Sequence, residues 1–205
     1  MNLRLIATLA LVCLAGCKTR SDDTRQTTGP ELAAAVRSEL DLPVSEPPHT
    51  NLKANWKERI EERYAFIELV GSYTETGQAL GGIFQMLASQ DIEPTGAPFA
   101  LFYDDPGHTA VSALRSRACV PIPLGAEVAA PYQVDTLPST MVVYAYVGGA
   151  YGEVPRAYPG LYAYMKKLGW KEAGPIRESY LVSPTSVKDF SKLVTEVQIP
   201  AQSTR

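Results

Sequence analysis

The chain has 205 residues, 45% of them hydrophobic, with 19 Lys+Arg against 22 Asp+Glu and a formal net charge of −3. That length holds one domain with a sizeable core, and the mildly acidic balance supplies no electrostatic footprint for nucleic acid.

The N-terminus has the pattern of a targeting segment. Arg4 gives a positive start, and Leu5 to Leu14 gives an apolar run too short to span a bilayer, which takes about 20 residues. Leu14-Ala15-Gly16-Cys17 resembles the lipobox of bacterial lipoproteins. The resemblance implies cleavage before Cys17 and a diacylglycerol on its thiol, with more than one acyl chain to hold the membrane stably. The residue after the cysteine is Lys18. Inner-membrane lipoproteins commonly carry aspartate there, so the expected place is the cell envelope, anchored in an outer membrane and facing the periplasm. Of the 3 cysteines, Cys13 falls in the segment expected to be cleaved and Cys17 is the expected lipidation site, which leaves Cys119 without a disulfide partner. Loss of Arg4 with the leader leaves 18 Lys+Arg against 22 Asp+Glu, a net of −4. The expected segmentation is a signal peptide over 1–16, the lipidated cysteine and a flexible tether over 17–54, and a folded domain over 55–205. The stretch from Lys18 to about His49 is rich in Ser, Thr, Asp and Pro, which suits a spacer. Pro30 and the alanines after it predict a short helix ending near Leu40, which Pro43, Pro47 and Pro48 then break.

The first strand is expected over Tyr64–Val70. Gln78 to Ser89 places Leu80, Ile83, Phe84 and Leu87 on one helical stripe. Strands follow at Phe99–Tyr103 and Arg117–Ile122, and Pro123–Pro138 is expected as a linker. A strand at Met141–Val147 comes next, then a helix over Glu153–Leu168. Pro155 suits its first turn, while Pro159 should kink or delay it. Strands at Ile176–Val182 and Leu193–Ile199 complete the chain.

This second set of elements repeats the first at an ungapped offset of 78: Gly71 falls on Gly149, Tyr73 on Tyr151, Glu75 on Glu153, Gly82 on Gly160, Gly96 on Gly174 and Pro106 on Pro184. The period exceeds the roughly 20–50 residues of solenoid units. The fold class is therefore α+β. It has two tandem strand-helix-strand-strand modules, about 64–123 and 138–200, related by a pseudo-twofold with a cleft between them.

The two copies differ most where Glu178 falls on Ala100. Strand alternation sets Ile176, Glu178, Tyr180 and Val182 on one face. Two readings stand for Glu178: a solvated edge glutamate, or a pocket carboxylate that binds a cation or moves a proton. Val142, Tyr144 and Tyr146 share another strand face, and Glu196 shares a face with Gln198. Cys119, between Ala118 and Val120, suits a small buried core residue. Gly148-Gly149-Ala150-Tyr151-Gly152 lacks the spacing of a phosphate loop and fits a turn. Asp104, Asp105 and His108 lack a nearby fourth ligand and fit a solvated turn. No metal or cofactor is expected.

Tyr146-Val147-Gly148, Tyr151 and Glu153, the helix, Gly174-Pro175 with Glu178 and Tyr180, and the closing Thr195-Glu196-Val197-Gln198-Ile199-Pro200 together resemble the GyrI-like small-molecule-binding domain. The same domain forms the effector-binding half of some transcriptional regulators. The resemblance implies two modules side by side and a cleft in which Glu178 meets an apolar, cationic ligand. Tyr144, Tyr146 and Tyr180 would be walls, and Glu196 a further candidate contact. A hydrolase branch of the family implies an alternative, in which Glu178 directs water at a strained electrophile. A third possibility is a structural envelope lipoprotein with a vestigial cleft. Unlike the regulators, this chain has no DNA-binding helix pair, so the expected partners are a small molecule and a membrane, reached through Cys17, with no nucleic acid. The SOUL haem-binding domain is similar too, but no axial His or Met stands on the candidate face.

Overall fold

The computed structural model describes residues 42–204. The leader, the lipidation of Cys17 and the tether as far as residue 41 lie outside the described residues. Eleven elements follow: β1 (Asn55–Arg59), β2 (Glu62–Val70), α1 (Thr76–Ser89), β3 (Phe99–Phe102), β4 (Arg115–Pro121), β5 (Gln133–Leu137), β6 (Thr140–Gly148), α2 (Tyr158–Lys167), β7 (Trp170–Glu172), β8 (Ile176–Tyr180) and β9 (Val194–Ser203). A 3-10 stretch over Tyr151–Ala157 leads into α2. Pro159 thus sits in the first turn of α2 rather than inside it. It delays the helix instead of kinking it, because a first-turn proline gives up no intrahelical hydrogen bond.

The strands form one antiparallel sheet in the order β1-β6-β9-β8-β3-β4-β2-β5, with β7 added along the end of β9. This order carries the repeat. β2, β3 and β4 of the first module answer to β6, β8 and β9 of the second. The modules meet where β3 pairs with β8, with Ala100 opposite Glu178 and Leu101 opposite Arg177. Ala100 and Glu178 are one repeat apart, so the pseudo-twofold axis passes through that pair. The mixed α/β fold with two helices and a cleft is as expected.

Three strands were not expected: β1, β5 and the short β7, which extends the end of β9. β1 and β5 are themselves one repeat apart, and each crosses to the other module. Asn55 pairs with Tyr144 on β6, and Gln133 pairs with Phe66 on β2. The supposed linker over 123–138 therefore contains an edge strand, and the modules begin earlier than residues 64 and 138. Both strands mix polar and apolar residues (NWKER and QVDTL) and lack the alternation of a half-buried strand. The chain feeding each of them crosses the helix of the module it joins. A Cβ on Gly82 would lie 2.6 Å from the Tyr132 hydroxyl, and one on Gly160 would lie 2.9 Å from Leu52. The same repeated helical position is thus glycine in both copies, with the crossing chain close over it.

The repeat shifts by one residue before β9. Tyr64 pairs with Pro121, and its equivalent Val142 pairs with Pro200. Pro121 and Pro200 are thus matched at an offset of 79, not 78.

Both helices lie on one face of the sheet. Leu80, Ile83 and Leu87 of α1 pack on Ala65, Ala118 and Val120. Val154, Ala157, Leu161 and Met165 pack on Val143, Ala145, Val147, Val197 and Ile199. Ala118 lies opposite Ala100, Ala100 opposite Glu178, and Glu178 opposite Val197, so these side chains share that face. The other face carries a cluster of Tyr64, Phe66, Phe99, Leu101, Cys119 and Leu137. Cys119 is fully buried there, and burial pushes its thiol well above the ordinary range, as befits a core residue rather than a nucleophile.

Residues 42–54, expected as the end of the tether, are packed against the domain. The Ser45 N–H donates to the Tyr146 carbonyl at 2.8 Å, and the Gly148 N–H donates to the Ser45 carbonyl at 2.9 Å. Val44 joins a small core of Val182, Val187, Leu193 and Val194, and Leu52 packs on α2. Proline-rich, polar composition hides these two anchoring side chains.

Candidate functional site

Glu178 stands at the centre of the sheet on the helix face, only 6% exposed. Its Oε1 accepts a hydrogen bond from the Tyr158 hydroxyl, on the first residue of α2. Among the described residues, no Lys, Arg or His forms an ion pair with it. Burial raises its carboxyl to about 7, against the opposing hydrogen bonds of Tyr158 and Tyr180. Desolvation wins because two neutral hydroxyls offset only part of the cost of a buried charge.

Three tyrosines surround it. Tyr180, two residues on along β8, packs against the α1 cluster, and its ring lies 4.8 Å from that of Tyr151. The Tyr151 hydroxyl donates to the Val182 carbonyl at 3.2 Å. Burial and then the Glu178 charge raise Tyr151 to about 12 and push Tyr158 and Tyr180 well above the ordinary phenol range. All three stay neutral at physiological pH, so they offer donors and ring faces but no charge. That packing of Tyr180 against the α1 cluster ties the site to the first module. The carboxylate therefore lies at the seam of the two modules, with walls from both.

The first module repeats the frame without the polar groups. Tyr73 packs on Phe102 at 4.6 Å, and its hydroxyl donates to the Asp104 carbonyl at 2.8 Å. These residues are one repeat from Tyr151, Tyr180 and Val182. Where the second module has Glu178, Tyr180 and Tyr158, the first has Ala100, Phe102 and Leu80.

Of the residues expected from sequence, the structure brings Tyr180 to Glu178 and separates the rest. Tyr144, Tyr146 and Glu196 lie on the opposite face of the sheet. Tyr146 pairs with Glu196 and Tyr144 with Gln198, while Glu178 lies opposite Val197, one position out of phase. Glu196 is partnered there by the Lys57 ammonium at 2.5 Å, which also sits 4.5 Å above the Tyr144 ring. These three cannot line one pocket with Glu178, because a one-residue step along a strand reverses the face. Asp104 is engaged by Arg115 at 2.8 Å and Asp105 by His108 at 2.7 Å, both on exposed turns. Tyr151 and Tyr158 were not foreseen as site residues. The signal was present, because Tyr158 replaces Leu80 just as Glu178 replaces Ala100.

A duplicated module with a buried carboxylate and aromatic hydroxyls at its seam is the plan of a small-molecule-binding domain. The chain belongs to that class by sequence as well: residues 56–202 match the GyrI-like small molecule binding domain. Among solved structures, the EcmrR C-terminal domain is similar with a TM-score of 0.68 at 18% identity, covering 76% of this chain and 100% of that one. EcmrR in a complex with DNA is similar with a TM-score of 0.67 at 16% identity, over 86% of this chain and 66% of that one. A hydrolase from Listeria innocua is similar with a TM-score of 0.54 at 10% identity, over 82% and 98%. At these identities the likeness is one of fold. No curated protein sequence matches the chain.

Proposed function

We propose that this chain is a lipid-anchored binding protein for a small, apolar, cationic molecule, held at the module seam against Glu178. The observation that carries the reading is a carboxylate 6% exposed with tyrosine hydroxyls around it and no cation paired to it among the described residues. A ligand cation would supply the missing charge and lower the carboxyl again. The ring faces of Tyr151, Tyr158 and Tyr180 would add cation–π attraction of about 0.5–2 kcal/mol. Tyr158 has the part of a placeholder: its hydroxyl occupies the carboxylate oxygen that the ligand would address. Cys17 would carry the lipid and residues 18–41 the reach from the membrane.

The test is titration of the full chain in detergent with a quaternary aromatic ammonium and with its uncharged carbon isostere. Glu178→Gln keeps the shape and removes the charge. It should weaken the cation by about 1.5–3 kcal/mol, the worth of a charged hydrogen-bond partner, and leave the neutral isostere unchanged or tighter. Equal losses for both ligands would refute the charge-pairing role. The anchoring has its own check: intact mass should show a lipid on Cys17, and Cys17→Ser should release the protein from membranes. An unmodified Cys17 would remove that half of the reading.

One observation favours a second reading. A carboxyl raised to about 7 is poised as a general base. Were Glu178 to direct water onto an electrophile, Glu178→Gln would leave binding intact and slow turnover by roughly 10²–10⁴-fold. A hydrolysis assay on strained electrophiles separates the two readings.

A further inference from the structure

The opposite face of the sheet holds a second recess, independent of the seam. It is an open depression of about 280 Å³ beside the turn between β1 and β2, near the small end of ligand sites. Its floor is made of charged and polar side chains that are themselves buried: Arg59 and Arg177 at 7% exposure, Gln198 at 4% and Glu196 at 8%.

The local pairing leaves Arg59 without a carboxylate. Glu196 is taken by Lys57 at 2.5 Å. Glu62 is taken by Arg177 at 2.7 Å, and the Arg177 Nε donates to the Ser179 hydroxyl at 2.9 Å. Arg59 has no carboxylate partner among the described residues. Its one hydrogen bond runs to the Pro138 carbonyl at 3.1 Å, and its Nε is buried without a partner. Burial presses hardest against the Arg59 charge and the neighbouring Arg177 adds to this, while Glu62 only partly offsets them. The Gln198 Oε1 is likewise buried without a donor. A buried guanidinium edge and a buried amide oxygen, both lining one recess, are costly to leave unpaired.

We propose that this recess binds a small organic carboxylate that also carries a hydrogen-bond donor, with the carboxylate on the Arg59 guanidinium and the donor toward Gln198. A planar carboxylate matches the two parallel N–H groups of a guanidinium edge. A monoanion gives Arg59 the carboxylate partner it lacks. Glu58, Glu61 and Glu62 around the recess oppose any anion, and a phosphate dianion more strongly than a monoanion.

The experiment follows the NMR spectrum of the full chain in detergent during titration with 4-hydroxybenzoate, benzoate, inorganic phosphate and phenethylamine. Saturable shifts confined to β1, β8 and β9 are expected with 4-hydroxybenzoate, and weaker ones with benzoate. Arg59→Met keeps the aliphatic stem and removes the buried charge, and it should weaken 4-hydroxybenzoate at least tenfold while the protein stays folded. Glu178→Gln should leave this binding as it is, so the recess stands or falls apart from the seam. Should Arg59→Met fail to fold, competition with 4-hydroxybenzoate for arginine-selective modification of Arg59 by phenylglyoxal gives the same reading: protection supports the site. Equal binding by the wild type and Arg59→Met, no protection, or a preference for phosphate or phenethylamine would each overturn the proposal.

Discussion

The two modules share one frame and differ at its centre. Tyr73 on Phe102 and Tyr151 on Tyr180 are the same tilted ring pair, each with its tyrosine hydroxyl on a main-chain carbonyl of the same repeat position. On that frame the first module keeps Ala100, Phe102 and Leu80. The second places a carboxyl and two hydroxyls at the same points. A second asymmetry lies on the other face. Arg117 stands over Phe66 and pairs with Asp135 at 2.8 Å. At the equivalent positions Lys57 stands over Tyr144 and pairs with Glu196 at 2.5 Å, with the charges exchanged between strands. Duplication has kept the packing and one cross-strand ion pair, and has let polar chemistry diverge where the axis brings both copies together.

If the frame is shared, equivalent core residues should cost the same to remove. Ile83 and Leu161 are one repeat apart and fully buried. Truncation of either to alanine should cost about 2–5 kcal/mol through lost burial and the cavity left behind. Urea denaturation of the two variants measures this. A cost below about 1 kcal/mol for one of them would break the equivalence of the modules.

The divergent centre should show itself in stability as a function of pH. Glu178 has a folded-state carboxyl raised to about 7 from an ordinary value of 4.5. The folded protein holds that proton more tightly than the unfolded chain, so stability is greatest below about 4.5 and falls as pH rises toward and through 7. Glu178→Gln removes this penalty. It should stabilise the protein by about 2–3 kcal/mol at pH 8, with the gain fading toward pH 4.5. Thermal melts of both proteins across that range check the sign, and a gain that grows on acidification contradicts it.

A smaller difference is expected at the crossing glycines. A Cβ on Gly82 meets only the outer end of the Tyr132 ring, whereas one on Gly160 meets three atoms of Leu52, including its Cβ at 3.0 Å. Tyr132 can swing aside, and alanine gains about 1 kcal/mol of helix propensity over glycine. Gly82→Ala should therefore be neutral or stabilising by up to about 1 kcal/mol. Gly160→Ala should destabilise by about 1 kcal/mol, because a Cβ moves only with its backbone. Melting temperatures that move in the same direction would show that the two crossings are packed alike.

Much of this was legible from the repeat. Six of the nine strands and both helices follow from apolar periodicity, and the ungapped offset implied the twofold. Comparison of the copies singled out Glu178 without any alignment. Tyr158 was missed because it sits at the foot of a helix otherwise judged by its apolar stripe. β1 and β5 were missed because their pairing, not their sequence, makes them strands. Tyr144 and Tyr146 were grouped with Glu178 because alternation sorts the faces of one strand but does not say which face of β6 matches which face of β8. Glu196 changes face through the one-residue shift of β9 against β4. That shift lies in the turns at Pro184–Ser186 and Phe190–Lys192, beyond the last repeated residue, Pro184.

The central claim is that Glu178 binds in its ionised form, at a seam that gives it no cation of its own. The direct measurement is the affinity of the quaternary aromatic ammonium at pH 6 and pH 8, for the wild type and for Glu178→Gln. A carboxyl that titrates near 7 is ionised in about a tenth of molecules at pH 6 and in about nine tenths at pH 8, so the wild type should bind about tenfold tighter at pH 8. Glu178→Gln should bind weakly and equally at both. A wild-type affinity unchanged between pH 6 and pH 8, or a pH dependence that survives in Glu178→Gln, would contradict the account.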